Sequence, residues 1–251
     1  MTVILHIFLF ALRVLFVYVT IFRSVQSVLR TLREKIMRYR NELKFILSKQ
    51  TAELLKRRIS PIMKPDSHSS GIYTVNNLYL DDQYDTFYHE KQIGSYSRDK
   101  YRVRYYNNDL SFIRLENKHK DGELAYKQSV KMTEDELSSI TAGDFGFVEL
   151  SEHPLWQKVS VIHRTRRLRP AAAFSYTREA YVYDICDVRI TFDTTLRSDS
   201  PAPGINTPSD MNGVMEVKYS GFLPSVITML LSGLPLTRTE FSKYCYIRER
   251  N

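Results

Sequence analysis

The chain opens on an apolar run. Residues 3–22, VILHIFLFALRVLFVYVTIF, are almost continuously hydrophobic and are broken by His6 and Arg13. A helix of that length spans a bilayer, although Arg13 lies near its middle, where a charge is expensive. No basic region precedes the run and no small-residue cleavage site follows it, which argues against a cleaved signal peptide. The pattern then becomes amphipathic. Val25, Val28, Leu29 and Leu32 recur at helical spacing between Arg23, Arg30, Arg33 and Lys35. Two readings of residues 1–36 stand side by side. They form an N-terminal hydrophobic helix that anchors the chain to a membrane, its basic flank keeping the remainder cytoplasmic, or translation begins at Met37 and they are a start-site artefact.

From residue 41 the period falls to two. ELKFIL (42–47) predicts a strand, and KQTAELLKRRISPIM (49–63) a helix with Ala52, Leu55 and Ile59 on one side and Pro61 as its stop. YTVNNLYLD (73–81) predicts a strand, followed by a short helical stretch at 84–92. KYRVRYY (100–106), LSFIRLENKHK (110–120) and ELAYKQSVKM (123–132) predict three antiparallel strands, turned by Asn107-Asn108-Asp109 and Asp121-Gly122. Thr133 with Glu136 three residues on is a capping box, and 150–165 reads as a helix. RPAAAFSYTREAYVYD (169–184), DVRITFDT (187–194) and GVMEVKYSG (213–221) predict further strands, with a Pro/Ser/Gly-rich loop at 197–213. Helices at 225–234 and 239–249 close the chain. The expectation is an α+β domain over 37–251 with helices set between antiparallel strands.

The strand faces are unusual. Successive side chains alternate between faces, and five strands put cations on one face and apolar residues on the other. Glu42 and Lys44 oppose Leu43 and Phe45; Arg102 and Arg104 oppose Tyr101, Val103 and Tyr105. Arg114, Glu116, Lys118 and Lys120 oppose Ile113 and Leu115; Arg189, Thr191 and Asp193 oppose Ile190 and Phe192; Glu216 and Lys218 oppose Val217 and Tyr219. On any single strand this is an ordinary solvated face. Five in sequence call for a counter-ion, because like charges facing one another across strands repel. If the sheet curls with that face inward, the lumen suits a phosphate-rich anion, and its few glutamates can hold a divalent cation.

Composition narrows this further. The 251 residues carry 36 Lys+Arg against 28 Asp+Glu, a net charge of +8, which suggests a polyanionic partner. Residues 1–36 hold five of the basic groups and one acid, leaving 31 basic and 27 acidic residues in the domain, so placement matters more than the sum. Only Cys186 and Cys245 are present, too few for a disulfide scaffold or a zinc site and in keeping with a reducing compartment. There is no GxxxxGK[ST] and no GxGxxG, and with 9 Gly in all, side chains must hold any phosphate. None of the six His has an evident catalytic partner. Nucleic acid is disfavoured, since Tyr101, Tyr105 and Phe192 lie opposite the cationic face rather than on it.

The segments RNELKF (40–45), YTVNNLYLDD (73–82), KYRVRYY (100–106), LENKHKDGELAYK (115–127), YTREAYV (176–182), VRITFDT (188–194), MEVKY (215–219) and SKYC (242–245) occur in an order that resembles the VTC domain. This is the polyphosphate polymerase domain of vacuolar transporter chaperone proteins, within the triphosphate tunnel metalloenzyme superfamily. The resemblance implies an eight-stranded antiparallel β-tunnel, a closed barrel with a basic lumen and flanking helices. It implies Lys44, Arg102, Arg104, Lys118, Arg178, Arg189, Lys218 and Lys243 as phosphate-gripping catalytic residues, Lys243 closing the tunnel from the final helix. Lys91, Lys120, Lys127 and Ser242 are candidate substrate contacts. Glu216 is the implied ligand of a divalent metal, Mn²⁺ or Mg²⁺, with Glu42 and Glu116 either adding contacts or forming ion pairs within the wall. ATP and polyphosphate, or another triphosphate, are the implied partners. One departure stands out. Hydrolases of the superfamily begin with ExExK, whereas here Arg40-x-Glu42-x-Lys44 lacks the first glutamate, which tilts the expectation from triphosphate hydrolysis toward polymerisation. Hydrolysis and binding of polyphosphate without turnover remain the alternatives.

Overall fold

The computed structural model describes residues 40–66, 71–122, 124–198 and 213–250. The proposed N-terminal anchor and most of the 197–213 loop lie outside these residues. Among the described residues no helix is long and apolar enough to cross a membrane.

The elements in chain order are β1 (Arg40–Ile46), α1 (Lys49–Ile59), β2 (Lys64–Pro65), β3 (Ile72–Asp81), α2 (Thr86–Gln92), β4 (Ser97–Arg98), β5 (Tyr101–Tyr106), β6 (Asp109–Asp121), β7 (Leu124–Met132), α3 (Glu134–Thr141), a 3₁₀ turn (Gly146–Leu150), α4 (Pro154–Arg166), β8 (Arg169–Tyr183), a second 3₁₀ turn (Ile185–Asp187), β9 (Val188–Ser198), β10 (Val214–Ser220), α5 (Ser225–Leu231), β11 (Thr237–Arg238) and α6 (Lys243–Arg248). Eight of the strands are long and correspond to the eight expected; β2, β4 and β11 are two-residue additions. Helix ends are where the pattern overreached. α1 stops at Ile59, because the chain turns at Ser60 ahead of Pro61, and does not continue to residue 63. The 150–165 helix starts later, with Pro154 in its first turn and His153 accepting from the Leu155 N–H (3.1 Å). The final helix is confined to 243–248, capped by Ser242.

Local chemistry sets the turns. Asn107 and Asn108 both take positive φ (50° and 57°), as a two-residue hairpin between β5 and β6 requires. Gly122 (φ 58°) turns β6 into β7 in the left-handed region that favours glycine, and a Cβ there would sit 2.7 Å from the tip of the Tyr96 ring and push it aside. The capping box forms as read: the Glu136 N–H donates to Thr133 Oγ1 (3.2 Å) and the Thr133 N–H to Glu136 Oε2 (2.7 Å).

The strands form one antiparallel sheet in the order β11-β1-β10-β9-β8-β3-β5-β6-β4, with β7 on β6 and β2 on β8. Its outer face is covered by helices. α3, the first 3₁₀ turn and α4 bury Tyr101, Val103, Ile113, Leu115 and Met132 against Ile140, Phe145, Leu155 and Trp156. α1 and α5 bury Ile190, Phe192, Met215 and Val217 against Leu55, Ile59 and Ile227. Each large side chain buried this way contributes about 1.5–3 kcal/mol, so the outer face holds the curl.

The expectation of a closed barrel is corrected. Among the described residues no backbone pairing joins β1 or β11 to β6 or β7. The two ends meet through side chains: Lys118 Nζ on β6 lies 3.8 Å from Glu42 Oε2 on β1. The inner face is also less uniform than read. β3 and β8 line it with Tyr73, Val75, Tyr79, Phe174 and Tyr176, and α6 packs Tyr244 and Ile247 onto them.

Candidate active site

The paired register makes the inner face a grid. Lys100 and Lys118 exchange backbone hydrogen bonds (3.0 and 2.9 Å), and Lys118 pairs with Lys127, so three lysines cross the sheet in a row. The next row is Arg102, Glu116 and Ser129, and the row beyond it Arg104, Arg114 and Lys131. Two rows of like charges therefore stand face to face, an arrangement that costs stability unless an anion is present. Glu116 is the acid between them. It accepts from Arg102 Nε (2.8 Å), lies 2.7 Å from Arg102 Nη2 and contacts Lys127 Nζ. Burial opposes its charge, but Arg102, Arg104 and Lys127 hold its pKa down at about 2.

A second cluster forms where β1, β8, β9 and β10 bring their inner faces to α6. Arg178 grips Asp193 through Nε (2.6 Å) and Nη2 (2.7 Å). Lys243 Nζ lies 2.6 Å from the same carboxylate and 3.6 Å from Glu216 Oε1. Lys218 Nζ is 3.0 Å from Glu216 Oε2, and Lys44 Nζ is 3.2 Å from Glu42. Burial works against the Glu216 charge, yet Lys218, Lys243, Arg178 and Lys44 keep it well below the usual carboxylate range. Lys243 resists its own burial because Asp193 and Glu216 raise it above the ordinary lysine value. These groups are charged at any physiological pH.

Arg104 donates to Asn77 Oδ1 (2.6 and 2.9 Å) and to the Tyr176 hydroxyl (3.4 Å). Arg189 is drawn aside by Asp66 (2.5 Å) and the Tyr73 hydroxyl (3.0 Å). Lys91 stands on α2, within the expected helical stretch, and its pKa is lowered by burial and by Arg98. Lys120 pairs with Arg98 of β4 at the rim. Ser242 spends its hydroxyl on the α6 cap, accepting from the Cys245 N–H (3.4 Å).

Three contributors escaped the sequence reading. Lys100 continues the alternation of Arg102 and Arg104 onto the same face; burial lowers its pKa to about 8. Lys131 is visible in the same way from Lys127. Asp193 was on the right face, but its role depends on Lys243, fifty positions away.

A divalent metal can be tested against this donor set. Among the described residues no three His, Cys, Asp or Glu side chains gather as a metal cage. Magnesium and similar ions commonly bind through one or two carboxylates and fill the rest of their shell with substrate phosphate and water. Glu216, ionised and with Glu42 nearby, fits an ion of that kind carried on a polyphosphate.

The VTC domain family model matches residues 39–249. No curated protein matches the chain. Among solved structures, a Hippeastrum protein named as an adenylyl cyclase and described as having a dominant triphosphatase activity superposes with a TM-score of 0.56 at 15% identity, covering 83% of this chain and 95% of that one. The PH1819 protein of Pyrococcus horikoshii OT3 gives a TM-score of 0.48 at 12% identity, covering 85% of this chain and 100% of that one. An adenylate cyclase-like protein of Bacillus halodurans gives 0.43 at 16% identity, covering 76% and 87%. The fold is that of the triphosphate tunnel metalloenzymes, and the chain belongs to the VTC domain family.

Proposed function

We propose that this domain is a metal-dependent polyphosphate polymerase, which transfers the γ-phosphoryl group of ATP to the end of a polyphosphate chain. The bond from the γ-phosphorus to the β,γ-bridging oxygen breaks, a terminal phosphate oxygen of the acceptor forms the new P–O bond, and ADP leaves. The observation that supports this most is the charge grid: six cations on β5, β6, β7 and the segment before them, in two like-charged rows with Arg102 and Glu116 between them, together with the Glu216–Lys218–Lys243 cluster. Phosphoryl transfer is mostly positioning and charge neutralisation. Arg102, Arg104, Lys118, Lys44, Arg178, Lys218 and Lys243 supply both; ion pairs, and for Arg104 hydrogen bonds to Asn77 and Tyr176, hold them in place before the substrate arrives. A divalent ion held by Glu216 would neutralise phosphate charge and orient phosphate oxygens.

The acceptor is already an anionic nucleophile, so no general base is needed. That suits a lumen in which Glu42, Glu116, Asp193 and Glu216 each have a cationic partner. Triphosphate hydrolysis is the second reading, favoured by the likeness of fold to the Hippeastrum triphosphatase; Arg40 in place of an acidic residue weighs against it. Placement at the cytoplasmic face of a membrane, through residues 3–22, belongs to the same proposal and rests on the sequence.

The test is product analysis of the purified chain with ATP and Mn²⁺ or Mg²⁺. Chains resolved on a polyacrylamide gel support polymerisation; orthophosphate alone makes the domain a hydrolase, and anion binding with no ATP consumed makes it a binding module. Glu216→Gln should abolish turnover while leaving metal-free tripolyphosphate binding intact; full activity in this variant would remove Glu216 from the metal role.

A further inference from the structure

The inner face carries an aromatic ladder at the end of the lumen where β6 begins. Tyr73 of β3 meets Tyr106 of β5 edge-on, ring centroids 5.8 Å apart and planes at 65°. Tyr106 meets Phe112 of β6 at 6.5 Å and 35°. Phe112 shares the inner face with Arg114 two residues on, and the Arg114 guanidinium carbon lies 4.6 Å from the Phe112 ring centroid. The three rings differ in exposure. Tyr73 is 8% exposed, and its hydroxyl accepts a hydrogen bond from Arg189 (3.0 Å), which fixes its ring. Phe112 is 43% exposed. A half-bare phenyl ring thus stands at the rim, buttressed from behind. One strand step deeper, about 7 Å along β6, the row Arg104–Arg114–Lys131 crosses the sheet.

We propose that this rim is a nucleobase subsite. The base of a nucleoside triphosphate stacks on Phe112 beside Tyr106, and its phosphates run inward over Arg104, Arg114 and Lys131. The inference rests on the reading of the lumen as a triphosphate site, and adds the means by which a nucleotide is preferred to an inorganic triphosphate. Aromatic rings offer every base a π-face, and a guanidinium already stacked on the ring extends that platform as a cation–π partner. Recognition of this kind comes from area, so purines bind more tightly than pyrimidines and adenine is not singled out from guanine.

The test is isothermal titration calorimetry on the full chain with ATP, CTP and inorganic tripolyphosphate, for the natural protein, Phe112→Ala and Phe112→Trp. Phe112→Ala should weaken ATP about tenfold, the scale of one base–aromatic stack, and leave tripolyphosphate affinity unchanged. Phe112→Trp should restore ATP affinity. The proposal is overturned if Phe112→Ala leaves ATP affinity unchanged, or weakens ATP and tripolyphosphate alike. Unchanged tripolyphosphate binding also shows that the variant is folded. If the natural protein binds none of the three anions, the lumen reading itself fails and this subsite falls with it; if it binds tripolyphosphate while Phe112→Ala has no effect on ATP, only the subsite falls.

Discussion

Lys243 and Asp193 are joined by a 2.6 Å contact between Nζ and Oδ2, with the aspartate side chain wholly buried and the lysine nearly so. The contact ties the first residue of α6 to the middle of β9. Asp193 also holds Arg178 by two hydrogen bonds, so one carboxylate positions two cations from different elements. Removing its charge leaves both with only the longer contacts to Glu216, 4.0 Å from Arg178 and 3.6 Å from Lys243. Breaking a buried ion pair from one side costs about 3–5 kcal/mol. Asp193→Asn is therefore expected to lower the unfolding free energy by that amount, and with it the denaturant midpoint, and to depress kcat more than KM, because Lys243 and Arg178 lose their orientation. Urea unfolding and steady-state kinetics check this; a variant with natural stability and kcat would show that the pair is incidental.

The other end of the α6 attachment lies at Tyr244. Its hydroxyl donates to Asp81 Oδ2 (2.5 Å), and its ring stacks on Tyr79 at 4.6 Å. Asp81 also accepts from the Phe87 and Tyr88 N–H groups of α2, so α2 and α6 share one anchor. Tyr244→Phe keeps the stack and removes the hydrogen bond. A loss of about 1–3 kcal/mol follows for a bond to a buried charged acceptor, with an accompanying fall in activity from a looser Lys243. Amide hydrogen exchange should rise in α6 more than in β3. Faster exchange spread evenly over the sheet would place the effect elsewhere.

Much of this was visible in the chain. The alternation of Arg102-Val103-Arg104 or Glu216-Val217-Lys218 defines two faces whatever the fold, because strand geometry has period two. That is why the eight long strands and most of the lumen cations could be named in advance. Closure could not be, since whether β1 meets β6 through backbone or through Glu42 and Lys118 depends on the curvature summed over every strand. The inner faces of β3 and β8 were illegible for a related reason. Tyr79 and Phe174 look like ordinary core residues, and only the register that sets Tyr79 beside Arg102, and Phe174 beside Asn77, assigns them to the lumen face, where α6 packs on them. Helix ends were misjudged where one residue of capping chemistry outweighed the periodicity, as at Ser60 and Pro154.

The like-charged rows predict an anion-dependent stability. Lys100, Lys118 and Lys127 stand in one row and Arg104, Arg114 and Lys131 in another. Repulsion within each row is relieved weakly by screening and strongly by a bound polyanion. Tripolyphosphate at about a hundred times its Kd should stabilise the fold by about 2.7 kcal/mol. Thermal melts in tripolyphosphate and in sodium chloride of equal ionic strength separate the two effects. Equal melting temperatures in both would mean that no specific anion site exists.

Lys100 makes anion affinity depend on pH. Burial lowers its pKa to about 8, and Tyr79 close by opposes that shift only in part. Tyr79 moves in the complementary direction: burial alone would raise it, but Arg102, Lys100 and Arg104 bring it down to about 8. As pH rises through that value the lysine loses a positive charge and the tyrosine gains a negative one. Both changes weaken an anion, so they add. Tripolyphosphate affinity should fall between about pH 7 and about pH 9, where ordinary lysines at about 10.4 are still charged. Lys100→Met should bind more weakly at the lower pH and show a shallower fall, because its contribution is absent throughout; the titration of the ligand itself is common to both proteins and cancels in the comparison. Calorimetric titrations at the two pH values measure it, and parallel profiles for the natural protein and Lys100→Met would exclude Lys100 as the titrating group.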